Sequence, residues 1–336
     1  KIDILAGRRV FVTSNSKKLI EALTNVVKKL AKDSDTQIPH LSITSANSKS
    51  DEVQDFIKNA KTKVLDYRVI LSSPSLGTGV DITFPNGAQE IDVVIGVFEA
   101  GITNHFEIDQ QLGRVRNPGE INVWINPRRY NFETTFEVVV DDLLQGDLIS
   151  SVHHGFDWKD RKSLADENPF LTMAALISAR NRASHNALKS NFIEHKLAQN
   201  WTINEVAKDE AMALDGKMLL GYGARLSVEE YAEAVLTAPI LNEIQHKEIG
   251  RRMDMEGSPV SASEVNSMRR TALELFYRQD ATPDLIGLDN RTSFRGRVHC
   301  FEALMLHADN PKGFVEHQDA KIPALLMKTS ISTLPN

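Results

Sequence analysis

The segment Asp109-Gln110-Gln111-Leu112-Gly113-Arg114-Val115-Arg116-Asn117-Pro118 puts a glutamine, a turn glycine and two arginines within a few residues, just upstream of a strongly apolar strand. Arginine keeps its charge at any physiological pH. Guanidinium groups fixed close to a tight backbone turn are suited to neutralising charge on a transferring γ-phosphoryl group. Taken alone, Arg-x-Arg is more often a solvated surface pair, so its meaning depends on what stands before it.

Two segments precede it in an informative order. Between the apolar runs Tyr67–Ser72 (YRVILS) and Ile91–Val97 (IDVVIGV) lies Ser72-Ser73-Pro74-Ser75-Leu76-Gly77-Thr78-Gly79-Val80-Asp81-Ile82. Gly77 and Gly79, one residue apart, let the backbone take positive φ and approach a ligand closely, while the hydroxyls and Asp81 suit sugar or phosphate. The plainer reading is a flexible surface loop. Earlier still, Arg9–Ser14 (RVFVTS) is a β-branched and aromatic run followed by Lys18, Leu19, Ala22, Leu23, Val26, Val27 and Leu30 at helical spacing.

The elements that position these residues alternate. A short strand is expected at His40–Thr44, a helix capped near Ser48–Asp51 that buries Val53, Phe56 and Ile57, a helix near Ile108–Leu112, and a strand at Ile121–Ile125 (INVWI). Such alternation implies an α/β layer around a mostly parallel sheet, and near-continuous apolar strands suit a sheet covered on both faces. Beyond Pro127-Arg128-Arg129 the texture changes. Phe136–Leu144 is expected as a further strand or edge element, and Gly146–Pro169 reads as a linker. Helices are expected over about 171–199, 203–215, 227–249, 261–279 and 294–308, with starts at Ser227 and at Ser261 or Ser263, and Asn310–Asn336 reads as irregular.

With motifs in this order, the chain resembles the second RecA-like domain of superfamily 2 helicases and translocases. RVFVTSNSKKLIEAL is similar to that family's motif IV, SSPSLGTGVDI to motif V and QQLGRVRN to motif VI, over about residues 7–128. SPSLGTGVDI together with QQLGRVRNPGEINVWI is most similar to the herpesvirus-type origin-binding helicases and the related replication proteins of plasmids and phages. The resemblance implies a positioning role for Gln110 and Gly113 and makes Arg114 and Arg116 arginine fingers toward the γ-phosphate. It places Gly77 by the nucleotide, Gly79 and Asp81 by its ribose, and Ser73, Thr78 and Ser14 to Lys17 near the nucleic-acid backbone. The commonest motif VI sets its second arginine three residues after the first; here the interval is two and Asn117 holds the third place, leaving open which arginine reaches the phosphate.

The resemblance also implies ATP and Mg²⁺ as ligands, and single-stranded or forked DNA, with other replication proteins, as partners. No GxxxxGK[ST] phosphate loop occurs, and Asp51-Glu52, the one candidate for a magnesium-binding acidic pair, follows a polar stretch and does not close a buried strand. The sequence therefore supplies the far wall of an ATP site, with the nucleotide held mainly by a missing N-terminal RecA-like domain, and is not expected to hydrolyse ATP unaided. Opening at Lys1, it reads as a fragment or processed product. It divides into a RecA-like domain over 1–145, a linker over 146–169 and a mainly helical accessory domain over 170–336. The alternatives are a non-catalytic RecA-like scaffold that binds DNA or protein, and an RNA helicase fragment.

Composition narrows the setting. With 41% apolar and 25% charged residues the 336-residue chain is an ordinary globular protein long enough for two domains, and no apolar run approaches a membrane span. A lone cysteine, Cys300, excludes an internal disulfide and fits a reducing cytoplasm, or the host nucleus for a viral protein. The net charge is −6, so a nucleic-acid surface must be a local patch. Candidates are Arg291, Arg295 and Arg297 around Phe294, and Arg128-Arg129-Tyr130, each also readable as a salt-bridged helix start or surface. Trp201–Ala207 resembles the opening of a helix-turn-helix, but three acids follow it, and core packing is the simpler reading. His153-His154, His185 and His195 lack ligand spacing, so no metal site is expected, and Cys300 beside His299 reads as a buried thiol.

Overall fold

A computed structural model of the chain describes residues 2–48, 50–77, 79–150, 169–207, 209–254, 260–292 and 294–306. Its centre is a five-stranded, wholly parallel sheet of β1 (Val10–Ser14), β2 (His40–Ile43), β3 (Val69–Ser72), β4 (Val93–Phe98) and β5 (Glu120–Ile125), in the order β2-β3-β1-β4-β5. β1 lies in the middle, with Val10 opposite both Val69 and Val93, and every residue of β1 and β3 is buried. That burial explains the unbroken apolar runs in the sequence.

After the one-turn α1 (Ile2–Leu5), helices cover both faces of this sheet. On one face α2 (Lys17–Asp33) starts where Ser16 accepts a hydrogen bond from the Leu19 amide, and it buries Ile20, Val26, Val27 and Leu30 against Val10, Val12, Val69 and Leu71. On the other face α3 (Asp51–Lys58), capped by Ser50 and continued by the short α4 (Ala60–Lys63), and α5 (His105–Leu112) enclose Phe11, Ile43, Ile70, Val94 and Phe98. Glu52, in the first turn of α3, takes a hydrogen bond from the Tyr67 hydroxyl at 3.2 Å. The fold is α/β, a RecA-like parallel sheet domain followed by a mainly α-helical region.

The remaining helices are α6 (Phe136–Ser150), α7 (Pro169–Asn186), α8 (Leu188–Ala198), α9 (Glu210–Leu236), α10 (Glu243–Asp254), α11 (Ala262–Tyr277), α12 (Pro283–Thr292) and α13 (Phe294–Leu306). Phe136–Leu144, expected as a strand, lies in α6. Apolar residues at 136, 139, 140 and 143 form a helical stripe that packs on Leu171, Ala175 and Ala179 of α7. The helix expected over 203–215 begins at Glu210, where Asp209 accepts from the Met212 amide, and runs on to Leu236. Ser227, expected as a helix start, sits inside α9 and bonds the Gly223 carbonyl. Residues 201–207 form no regular element, so the helix-turn-helix pattern finds no helix there. Gly146 to Ser150 close α6, while the rest of the expected linker before Pro169, with His153-His154, lies outside the described residues, as does Asn310–Asn336.

Contacts gather the chain into two compact units, one of Lys1–Arg128 with Leu188–Gly287 and one of Arg129–Ala187 with Leu288–Asn336. In the first, α9 lies along α2, with Asn25 donating to Ser227 and Glu230 at 3.1 Å each. A small second core joins α9, α11 and α12 through Val235, Leu273 and Ile286. There Arg270 donates to the Leu236 and Ala238 carbonyls at 2.6 and 2.8 Å and so closes the C-terminal end of α9.

α11 opens with a reciprocal capping box between Ser261 and Glu264, and Arg252 of α10 pairs with the same carboxylate. Arg252 first, then the Ser261 amide and hydroxyl, hold Glu264 at about 2 against an ordinary 4.5. An acid whose pKa falls on folding stabilises the fold above its unfolded pKa and ceases to as the pH drops through the folded value. Acid titration followed by circular dichroism is expected to show a loss of stability between about pH 4.5 and about pH 2 that is smaller in Glu264→Gln. An unaltered profile in that variant contradicts the assignment.

Candidate functional site

Ser14 to Lys17 and Ser73 to Gly77 stand at the carboxyl ends of β1 and β3, where open α/β sheets bind ligands, whereas Gly113 to Arg116 follow α5 on the path back to the start of β5. β4 leads through Glu99 to Asn104, which forms a capping box with Glu107 and starts α5. Asn15, directly after β1, fixes this loop. It donates to the Glu99 carbonyl at 2.8 Å and the Thr103 hydroxyl at 3.0 Å, and accepts from the Glu99 amide at 2.8 Å. Thr13 on β1 donates to Gln111 at 3.1 Å, a fully internal bond that ties α5 to the central strand.

α5 ends at Gly113, whose amide donates to the Asp109 carbonyl at 2.8 Å. A β-carbon at Gly113 would meet that same carbonyl oxygen at 3.2 Å, so the exit from α5 is close-packed. The chain then runs alongside the end of the motif V loop. The Ile82 amide donates to the Arg114 carbonyl at 2.8 Å and the Arg116 amide to the Ile82 carbonyl at 3.1 Å, with Ile82 and Val115 both buried. Two segments separated in sequence are thus clipped together by a short parallel bridge.

The two arginines of motif VI differ sharply. Arg116 is exposed and its Nε donates to Asp81 at 3.0 Å. Asp81 is held below the usual carboxylate range by the Thr83 hydroxyl at 2.8 Å and then by Arg116. Arg114 is only 6% exposed, and its Nη1 is buried without a hydrogen-bond partner among the described residues. Burial lowers its pKa, with no carboxylate offsetting that loss of hydration. A buried cation without a counter-charge is costly, and it is the arrangement expected of a group whose partner anion belongs to a ligand.

Around these, Gln110 is exposed on α5 while its neighbour Gln111 faces inward. Gly77 takes φ +79°, as a turn glycine must, whereas Gly79 has no positive φ and has open space where a side chain would stand. Ser73 is buried, its hydroxyl accepting from the Ser75 amide at 3.4 Å, and Ser14 is buried with its hydroxyl accepting from the Ser16 amide at 3.0 Å. Lys17 is partly exposed and lies 3.5 Å from Glu21. Thr78 lies outside the described residues. Asn15 and Gln111 fall inside motifs IV and VI, but the sequence does not reveal that they anchor the loop after β4 and α5 to the central strand.

Other candidates resolve more simply. Arg295 is paired in two-pronged fashion with Asp289 at 2.7 and 2.9 Å, the salt-bridged alternative. His195 bonds Asp109 at 3.1 Å. Cys300, expected to be buried, is exposed on α13, because the helix turns it to the outer side. Arg128 and Arg129 are exposed, and the Tyr130 ring stacks on Phe132 at 5.0 Å. Among the described residues no cluster of His, Cys, Asp or Glu is placed to hold a metal ion, and no helix is long and apolar enough to cross a membrane.

No protein-family model matches the chain, and no curated protein matches it.

Proposed function

We propose that this chain is the C-terminal portion of an ATP-dependent DNA helicase or translocase of the replication-initiation, origin-binding kind. The observation that carries the reading is Arg114, a buried cation beside the motif V loop whose Nη1 has no partner among the described residues. In this reading Arg114 meets the γ-phosphate and stabilises charge as it develops during phosphoryl transfer, and Gln110 lines the same wall. Arg116, held by Asp81, ties motif VI to motif V, so that a shift at one is felt at the other.

In this reading Arg114 contributes to an anion site, and the sequence has no phosphate loop. The metal and the β- and γ-phosphate cradle therefore belong to a separate RecA-like domain, which closes on this one during turnover. The test is ATP turnover by the polypeptide that unites this chain with such a domain, measured with single-stranded DNA and with RNA. Stimulation by DNA is the expected result, with no turnover by this chain alone. Stronger stimulation by RNA makes the protein an RNA helicase, and no stimulation by either leaves a non-catalytic scaffold.

A further inference from the structure

Asp109 opens the motif VI segment, yet its carboxylate is engaged by a distant part of the chain. Lys196 Nζ lies 2.5 Å from Oδ1, while His195 Nε2 and Gln199 Nε2 lie 3.1 Å from Oδ2. The donors come from α8 and the residue just past it, after an interval of more than eighty residues. Burial alone would raise the pKa of Asp109, but Lys196, Gln199 and His195 together hold it below the usual range.

The grip is reinforced on all sides. Leu188 and Phe192 of α8 are buried in the core under the sheet, next to Ile108 and Leu112 of α5. The His195 ring meets Phe106 edge-on at 5.0 Å, and Lys196 sits 4.2 Å over the Trp201 ring with its side chain only 12% exposed. An exposed ion pair contributes little, whereas three donors on one partly buried carboxylate form a network whose members depend on one another.

What links this network to the site is the backbone of Asp109 itself. Its carbonyl accepts from Gly113, closing the last turn of α5 immediately before Arg114. A displacement of Asp109 is therefore delivered to Arg114 through one hydrogen bond and one glycine.

We propose that α8 is a clamp on the motif VI helix, in which Lys196, His195 and Gln199 act as positioning residues that hold Asp109 and so set the placement of Arg114. That Arg114 then serves phosphoryl transfer rests on the nucleotide-site reading; that α8 places it does not. The clamp makes the helical part of the chain an integral support of motif VI, and a partner or DNA strand that pulls on α8 alters the arginine wall.

The test uses the full chain with Lys196→Met, which keeps an apolar stem over Trp201 and removes the charge, and Asp109→Asn, which keeps the shape and weakens the grip. Hydrogen exchange of residues 105–116 is expected to quicken by about tenfold, and phenylglyoxal modification of Arg114, located by mass spectrometry against Arg116 as internal reference, by a similar factor. The thermal midpoint is expected to move by only a few degrees. Where Lys196→Met lowers the folded population, the milder Asp109→Asn carries the same readout. Exchange and labelling at wild-type rates in a folded variant overturn the clamp.

Neither measurement requires ATP hydrolysis, so the clamp stands or falls separately from the proposed function. In the uniting polypeptide, the same variants are expected to lower kcat with KM for ATP nearly unchanged. Wild-type kcat alongside raised Arg114 labelling leaves the clamp standing and overturns the finger role of Arg114.

Discussion

Arg114→Ala is expected to lower ATP turnover of the uniting polypeptide by about 10³-fold or more, the scale on which an arginine finger acts, while nucleotide affinity stays within a few-fold. Arg116→Ala is expected to cost much less, because Arg116 is exposed and already neutralised by Asp81. The contrast follows from environment, since the two side chains are chemically identical. Arg114→Lys separates charge from geometry: a lysine restores a point charge but cannot present a planar fork, so it is expected to recover only part of the rate. Equal losses from Arg114→Ala and Arg116→Ala, read from steady-state kinetics, contradict the assignment of the finger to Arg114. Removing a buried unpaired cation also relieves a cost in the free protein, so Arg114→Ala is expected to leave the fold as stable as before or more so.

Gly223→Ala is expected to destabilise the first compact unit by about 3 kcal/mol, whereas Gly221→Ala, two residues away in the same helix, is expected to stabilise it by about 0.5–1 kcal/mol. A β-carbon at Gly223 would overlap the Ala22 carbonyl oxygen of α2 and stand 3.2 Å from a Val26 methyl group. Backbone cannot rotate aside as a side-chain tip can, so α9 has to lift away, loosening the Asn25–Ser227 and Asn25–Glu230 bonds with it. At Gly221 a β-carbon meets nothing within 4 Å, and only the gain in helix propensity remains. Urea midpoints of the two variants check the opposite signs. A Gly223→Ala protein as stable as wild type contradicts the close helix contact.

Much of this was legible in the sequence, for physical reasons that are local. β1, α2, α3, β3, β4 and α5 declare themselves because the sheet is buried on both faces, the helices carry apolar residues at helical spacing, and α3 starts at a cap in Ser48–Asp51, where the structure has Ser50. Gly77 also read correctly, since a tight turn with positive φ leaves few alternatives. Phe136–Leu144 misled because three consecutive valines favour strand locally, while packing of Val139 and Val140 on α7 selects the helix. The inequality of Arg114 and Arg116 was hidden for a different reason. It is decided by Asp81 from the preceding loop and by burial, neither of which the eight residues of motif VI contain. The α8 grip on Asp109 and the single indispensable glycine among Gly216, Gly221 and Gly223 are likewise matters of which distant segments touch.

The central claim is that Arg114 recognises phosphoryl transfer in progress more than it recognises bound nucleotide. Binding of ADP with aluminium fluoride, a mimic of the transferring phosphoryl group, tests this most directly when measured beside ADP alone in the uniting polypeptide. With Arg114 intact the mimic is expected to bind at least about 10²-fold more tightly than ADP, and Arg114→Ala is expected to erase most of that difference while leaving ADP affinity in place. An Arg114→Ala protein that retains the full preference for the mimic contradicts the account.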